Sequence, residues 1–405
     1  MLRVYDTHAG RMDPVVATGS RVLRMYVCGP PAHRYAHIGD LRSLLLADLV
    51  RRVAERRGPR VIACRSVADV SGHGEAASLL DGKPPAPLYE DTFRADALAL
   101  NIRTPEHTPR ESENVDAVIE LITRLIERGR ARPTPDGSVH FDADPQRPLW
   151  TATVPAWDSP WGPGAPGPHV GCSALSLRHL GGRVDLYAGG DAGHREGVRA
   201  ESGAATGSKT TAPWLHGGRL LFEGRPADGL DPVLLSDVTE EGLDPLAVRL
   251  ALMGWHYREQ ADLTREGLRT AARTLRRWRR RVADWAESPS RPIDADRAAA
   301  VQQALDDDLD MPRALGLLHD LEDDDGVTPG SRFETFLLFD HVLGLDLSID
   351  IGKVPTLPPG AGELLQARER AQTGGDWAAS DRLRDDLADL GVKVADTPTG
   401  QSWTL

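Results

Sequence analysis

At 405 residues with a net charge of −12, the chain has room for two or three domains and is too acidic to coat nucleic acid as a whole, so any RNA contact must use a local basic face. Its three cysteines are too few and too far apart for a disulfide framework. No apolar run could cross a bilayer or serve as a leader, which points to a cytoplasmic protein with no membrane partner.

The apolar run 22–27 predicts a buried strand, broken by Gly29, Pro30 and Pro31. His37-Ile-Gly-Asp40 then opens an amphipathic helix over 41–57, with Leu44, Leu45, Leu49 and Val53 at helical spacing. A second strand over 60–67 completes a βαβ unit and with it the start of a parallel sheet. Ligands of such sheets bind beyond the carboxyl ends of the strands, where Cys28 and Asp69 fall. The stretch 74–104 reads as helix with a Pro-rich interruption, and 112–130 as a clean amphipathic helix. A short hairpin over 131–141 turns at Asp136-Gly137, and the Trp- and Pro-rich 142–168 reads as irregular.

Helix 173–180, strand 183–191, a helix from Ala192 and a strand over 218–222 form a second half of the sheet. From Asp244 the pattern is helical, with candidate helices at 245–254, 264–286, 294–305, 312–321 and 332–343. A Pro/Gly break at 353–362 precedes one or two helices over 363–390 and an extended tail over 392–403. Arg269 to Arg281 is a basic helix, which by default is a solvated face and otherwise a place to touch phosphates.

Two groups could carry chemistry. The strand, Gly/Pro turn and helix start at 22–40 form a phosphate site, because free N–H groups and the helix dipole point outward there. Cys28, Cys172 and His194 each fall at or just after a predicted strand end, and two thiolates with an imidazole suit zinc. Spacing alone favours the plainer reading of two buried cysteines and an ordinary surface histidine. Cys64, inside a strand, reads as core, while His33 and His73 flank the phosphate turn.

The stretch MYVCGPPAHRYAHIGD at 25–40 resembles the "HIGH" signature of class I aminoacyl-tRNA synthetases, and its Cys28-Gly29 pair resembles the cysteinyl-tRNA synthetases. Asp40 stands where that signature ends in His; a carboxylate beside triphosphate calls for magnesium or Arg42 to offset it. Residues 157–174 look like the segment that delivers the family's second zinc thiolate, here Cys172, and 189–196 like the one that delivers its histidine, here His194. The family's fourth ligand, a Glu one helical turn later, is here Val198. Pro31, Ala68, Pro168 and Tyr187 replace a Thr, a Thr, a Trp and a His. Residues 238–258 resemble the segment after the family's "KMSKS" loop, which puts that loop at Arg225 to Gly229; none of the chain's four lysines is there, and Arg225 is the remaining positive charge beside Asp228. Residues 306–315 resemble a helical anticodon-region motif, and 375–403 the family's terminal module.

The resemblance implies an α/β Rossmann-like parallel sheet of class I synthetase type with an insertion, followed by an all-helical C-terminal bundle. The expected parts are 1–73, first half of the catalytic domain; 74–167, insertion; 168–243, second half; 244–350, helical bundle; and 351–405, anticodon-region-like module. It also implies an ATP-dependent cysteine–tRNA ligase, monomeric, using zinc and magnesium, with tRNA, cysteine and ATP as partners. His37 and Arg225 are the expected catalytic residues; Gly29, His37, Gly39, Asp40, Asp191 and Arg225 the nucleotide contacts; Cys28, Cys172 and His194 the metal ligands. Two alternatives stand beside it: an enzyme like the mycothiol cysteine ligase that joins cysteine to an amine, and a non-catalytic tRNA-binding paralogue.

Overall fold

Strand β1, Val22–Val27, buries Leu23, Met25, Tyr26 and Val27 in the computed structural model of the chain. Described are residues 1–15, 21–29, 34–70, 87–152, 157–167, 169–189, 192–207, 212–239, 242–353, 357–397 and 400–404; the side chains of 87–88, 145–147, 192–196 and 404 are outside the description. The chain forms two units, Met1–Val238 with Leu252–Asp262 and Gln302–Ala314, and Thr239–Ala251 with Leu263–Val301 and Leu315–Leu405.

In the first unit, β1 leads into helix α1 (Ile38–Arg56) and strand β2 (Arg60–Arg65), which pairs with β1 in parallel from Val22↔Arg60 to Val27↔Arg65. Helices α2 (Pro87–Ala99), α3 (Val115–Glu127) and α4 (Val170–Leu180) precede strand β3 (Leu186–Ala188), helix α5 (Ala192–Thr206) and strand β4 (Trp214–Leu215). The sheet order is β4-β3-β1-β2, all parallel. The strand order therefore reverses direction between β1 and β3, and the crevice at that switch point is where such a sheet receives a ligand. Cys28 follows β1 there and its backbone nitrogen donates to Ala188 O of β3 at 3.1 Å.

The sheet exists because its strands are almost wholly apolar and covered on both faces, as parallel strands must be. α1 supplies much of that cover through Leu41, Leu44, Leu45, Leu49 and Val53. The hairpin Arg3–Asp6/Arg11–Pro14 was not legible in the sequence, since its four-residue strands are polar and half exposed. Strand β3 is also shorter than the 183–191 expected.

The stretch 142–168 is not irregular. Asp144–Thr151 and Ala165–Pro166 join Ala131–Pro133 and Val139–Phe141 in a four-stranded antiparallel sheet. Pro145 and Pro148 argue against a strand, but Leu149 and Trp150, each 0% exposed, anchor it against Val118, Leu121 and Ile122 of α3.

The second unit is helical. Arg265–Ala286 is capped by Thr264 and buries Trp278, whose Nε1 donates to Glu322 Oε2 at 2.9 Å. Helices Ala361–Thr373 and Trp377–Asp389 with the hairpin Lys393–Thr397/Gly400–Thr404 close on a small core of Ala361, Leu365, Leu387 and Val392. There the wholly buried Arg368 forks onto Asp396 at 2.8 and 2.9 Å.

Candidate functional site

Helix α1 begins on a reciprocal cap. Asp40 N donates to His37 Nδ1 at 3.1 Å, and His37 N donates to Asp40 Oδ2 at 3.0 Å. A ring nitrogen that accepts this bond leaves the proton on Nε2, so His37 is a neutral imidazole with one N–H to give. Burial lowers its pKa; the carboxylates of Asp40 and Asp228 oppose that shift, and Arg34 adds to it. Gly39 has to be glycine, because a Cβ there would sit 2.9 Å from His37 Nδ1.

The expected offset of Asp40 by Arg42 is corrected. Arg34 pairs with Asp40, Nη1 to Oδ2 at 2.7 Å and Nη2 to Oδ1 at 3.3 Å. Arg42 instead points into the protein and donates to the backbone carbonyls of Gly218, Arg219 and Glu259 at 2.7, 3.2 and 2.9 Å, and to those of His256 and Tyr257. Its burial pulls the guanidinium down to about 10, still charged at neutral pH.

Two of those carbonyls, Gly218 and Arg219, lead into strands β5 (Leu220–Phe222) and β6 (Arg225–Pro226), and the other three lie in the segment 256–259. The hairpin returns over α1: Val233 O accepts from Ile38 N at 2.8 Å. It therefore places Asp228 within electrostatic reach of His37. Asp228 is pulled up by partial burial, but its bond to Arg219 at 3.1 Å and the nearby imidazole bring it below its ordinary value. Arg225 is exposed and makes no bond or ion pair among the described residues.

The two thiols belong to one packed region. Cys28, half-buried, and Cys172, 5% exposed on the first turn of α4, share one cluster with Cys64, Tyr26, Tyr187, Val198 and Trp214. Tyr26 Oη donates to Ser66 Oγ at 2.7 Å, and Ser66 Oγ lies 3.8 Å from Cys172 Sγ. Burial lifts the Tyr26 phenol well above its ordinary value, and the nearby thiols add to it; burial pushes Tyr187 up to about 12, so both phenols stay neutral donors. Tyr187 stacks on Trp214 at 4.4 Å between centroids, and Trp214 Nε1 donates to Gly189 O at 2.7 Å. Cys64 is core, its thiol pushed up to about 12 by burial and then by Cys172. Gly29 is forced by the chain itself: a Cβ there would stand 1.9 Å from Ser66 O.

The donor chemistry of two thiols in one cluster fits a soft metal, while Val198, 0% exposed in the same cluster, offers no ligand atom. Among the described residues no three His, Cys, Asp or Glu side chains gather as a metal site. The His194 side chain lies outside the described residues, as do Pro31, His33, His73, Pro168 and Asp191. Asp69 is buried and accepts from Ser112 N and Oγ at 2.9 and 2.6 Å.

Residues 14–149 and 146–273 match the model described as "tRNA synthetases class I (C) catalytic domain", and 354–403 match the "Cysteinyl-tRNA ligase anticodon binding domain". The chain belongs to the cysteinyl-tRNA synthetase family. Cysteine--tRNA ligase 1 of Burkholderia lata is 32% identical over 99% of this chain and 96% of its own length. The Cysteine--tRNA ligase of Moorella thermoacetica is 31% identical over 99% of both. Among solved structures, Mycobacterium tuberculosis methionyl-tRNA synthetase with methionyl-adenylate aligns with a TM-score of 0.54 at 13% identity, over 88% of this chain and 96% of the other, a likeness of fold. The α/β class I core expected from the sequence is thus the observed one. For this cysteinyl-tRNA synthetase family member, sequence reasoning missed Arg34 and Ser66. Arg34 lies within the 25–40 stretch but is not one of its signature positions, Ser66 follows β2, and only the pairing with Asp40 and the Tyr26–Ser66 bond give them a part in the site.

Proposed function

We propose that the chain is a cysteine–tRNA ligase that activates cysteine with ATP and passes the cysteinyl group to the 3′ end of tRNA. The observation that supports this reading is that Cys28, where the chain leaves β1 for the His37-capped helix α1, packs against the same cluster that holds Cys172. The match of 354–403 to an anticodon-binding model supports tRNA rather than a small amine as acceptor.

In this reading a carboxylate oxygen of cysteine attacks the α-phosphorus of ATP. A P–O bond forms, the bridging bond to the β-phosphate breaks, and pyrophosphate leaves with the electron pair. A hydroxyl at the tRNA 3′ end then attacks the carbonyl, loses its proton, and releases AMP. His37 Nε2–H donates to phosphate oxygen as negative charge builds. Arg34 holds the Asp40 carboxylate in the cap, away from the nucleotide. Gly29, Gly39, Asp191 and Arg225 complete the nucleotide side, and magnesium enters with ATP. Cys28, Cys172 and His194 would hold zinc, which when bound selects a soft sulfur over a hydroxyl. Tyr187 and Trp214 stack on each other in the same cluster. The division into two catalytic halves, insertion, bundle and terminal module, a monomeric state and a cytoplasmic location belong to the same reading.

One observation favours a diverged member with weakened activation: near His37 the loop presents Asp228, and its one cation, Arg225, is exposed. Pyrophosphate exchange into ATP, run with each amino acid and with metal content measured, tests the proposal. Cysteine-dependent exchange, followed by cysteinylation of tRNA, is the expected result. Exchange driven by another amino acid, or transfer to an amine alone, overturns the assigned substrates; no exchange with any amino acid leaves a tRNA-binding paralogue.

A further inference from the structure

Arg65, the last residue of β2, is 8% exposed, yet its guanidinium makes no hydrogen bond or ion pair among the described residues. It lies over the Phe93 ring of α2, 4.7 Å from guanidinium carbon to centroid. A cation–π contact offsets only part of the cost of burying such a charge. The neighbouring cations have carboxylate partners: Arg34 is bound to Asp40, Arg94 to Glu90 and Asp91, and Arg110 to Glu90, Asp69 and Glu113. The Arg65 guanidinium, without such a partner, faces a cleft also lined by Arg34, Ser66, Tyr89, Glu90 and Arg94.

We propose that this cleft binds a compact, singly charged oxyanion, a carboxylate or a phosphodiester, on the planar fork of Arg65 with Arg94 beside it. Arginine's donors match two oxygens of such a group at once. Glu90, which also lines the cleft, disfavours a multiply charged anion there. The inference rests on Arg65 and its surroundings, not on the thiol cluster, so it stands or falls separately from the ligase reading.

The test is thermal unfolding of the full chain at fixed ionic strength, in chloride against inorganic phosphate, acetate and the trinucleotide CCA. Wild type gains stability in at least one anion over the chloride control. Arg65→Met, which keeps the apolar stem on Phe93, melts no lower than wild type in chloride and loses the anion response, an affinity drop of about tenfold or more. Arg94→Met, an exposed position, weakens the response without abolishing it. Saturation by acetate but not by CCA identifies a small acid as the natural ligand, and tighter binding of CCA than of phosphate identifies an RNA end. An anion response equal in wild type and Arg65→Met, or absent from wild type with all three anions, overturns the proposal. So does a clear loss of stability of Arg65→Met in chloride, since Arg65 would then already have its partner inside the fold.

Discussion

The backbone nitrogens of His37 and Asp40 each donate to the other's side chain, at 3.0 and 3.1 Å, so the carboxylate that replaces an expected histidine is built into the first turn of α1. The substitution therefore changes charge at the helix entrance without loosening it. Arg34 completes the arrangement by neutralising the carboxylate from the solvent side.

Replacing Asp40 by Asn keeps an acceptor for the cap and removes the charge. Stability should change by no more than about 0.5 kcal/mol, because Asn caps as well as Asp. If the carboxylate opposes triphosphate, the KM for ATP in pyrophosphate exchange falls severalfold. Asp40→Ala, in contrast, loses about 1 kcal/mol in urea unfolding through the broken cap.

His37 sets a pH dependence. Its folded pKa lies below the ordinary value, so the unfolded chain binds the proton more readily. Its contribution to stability is then full above the ordinary histidine value of about 6.5 and is lost as pH falls through the folded value. Melting temperature should rise with pH between about 5 and 7. His37→Asn, which caps without titrating, should flatten that rise; an unchanged slope would remove His37 as its source.

Arg42 ties α1 to the segments at 218–219 and 256–259 through five backbone carbonyls. Arg42→Met leaves those buried acceptors unmet and should cost about 3–5 kcal/mol in denaturant unfolding. Arg42→Lys should recover part of this, since an ammonium reaches fewer of them.

Zinc content discriminates the two sulfurs from ordinary core cysteines. Cys28→Ser and Cys172→Ser should each lose bound metal, while Cys64→Ser should retain it. Val198→Glu places a carboxyl in the packed wall; without metal it should cost about 2–3 kcal/mol, and added zinc should recover stability in this variant more than in wild type.

The loop at 225–229 makes a further prediction. Arg225→Ala should leave stability within about 0.5 kcal/mol, as an exposed side chain without partners. Its effect should appear in the rate of exchange, which falls, whereas Asp228→Lys raises that rate by restoring a cation near His37.

The strands and helices that carry the site were legible because their apolar periodicity is strong: β1 and the cap of α1 fall where the run at 22–27 and His37 place them. Short elements escaped, since the two-residue Trp214–Leu215 offers no period to count. Asp144–Thr151 escaped because its prolines speak against a strand while its burial is supplied by α3, remote in sequence. Cys28 and Cys172 were linked by their places near predicted strand ends, and the family resemblance gave that link its weight. The exchange of roles between Arg34 and Arg42 was hidden because both are arginines near one helix start, and only the path of the 218–259 segment decides which is buried.

At Gly29 the two neighbouring main chains, continuing from the parallel strands β1 and β2, come so close that no side chain of any kind can be interposed. The thiol one residue earlier is thus located by peptide geometry, independent of how its neighbours are packed. Pocket walls such as Tyr187 and Val198 can drift over generations while the sulfur stays at fixed coordinates. A library varying those walls on an untouched Cys28-Gly29 pair is therefore the natural starting point for redirecting this scaffold to other thiol-bearing acids.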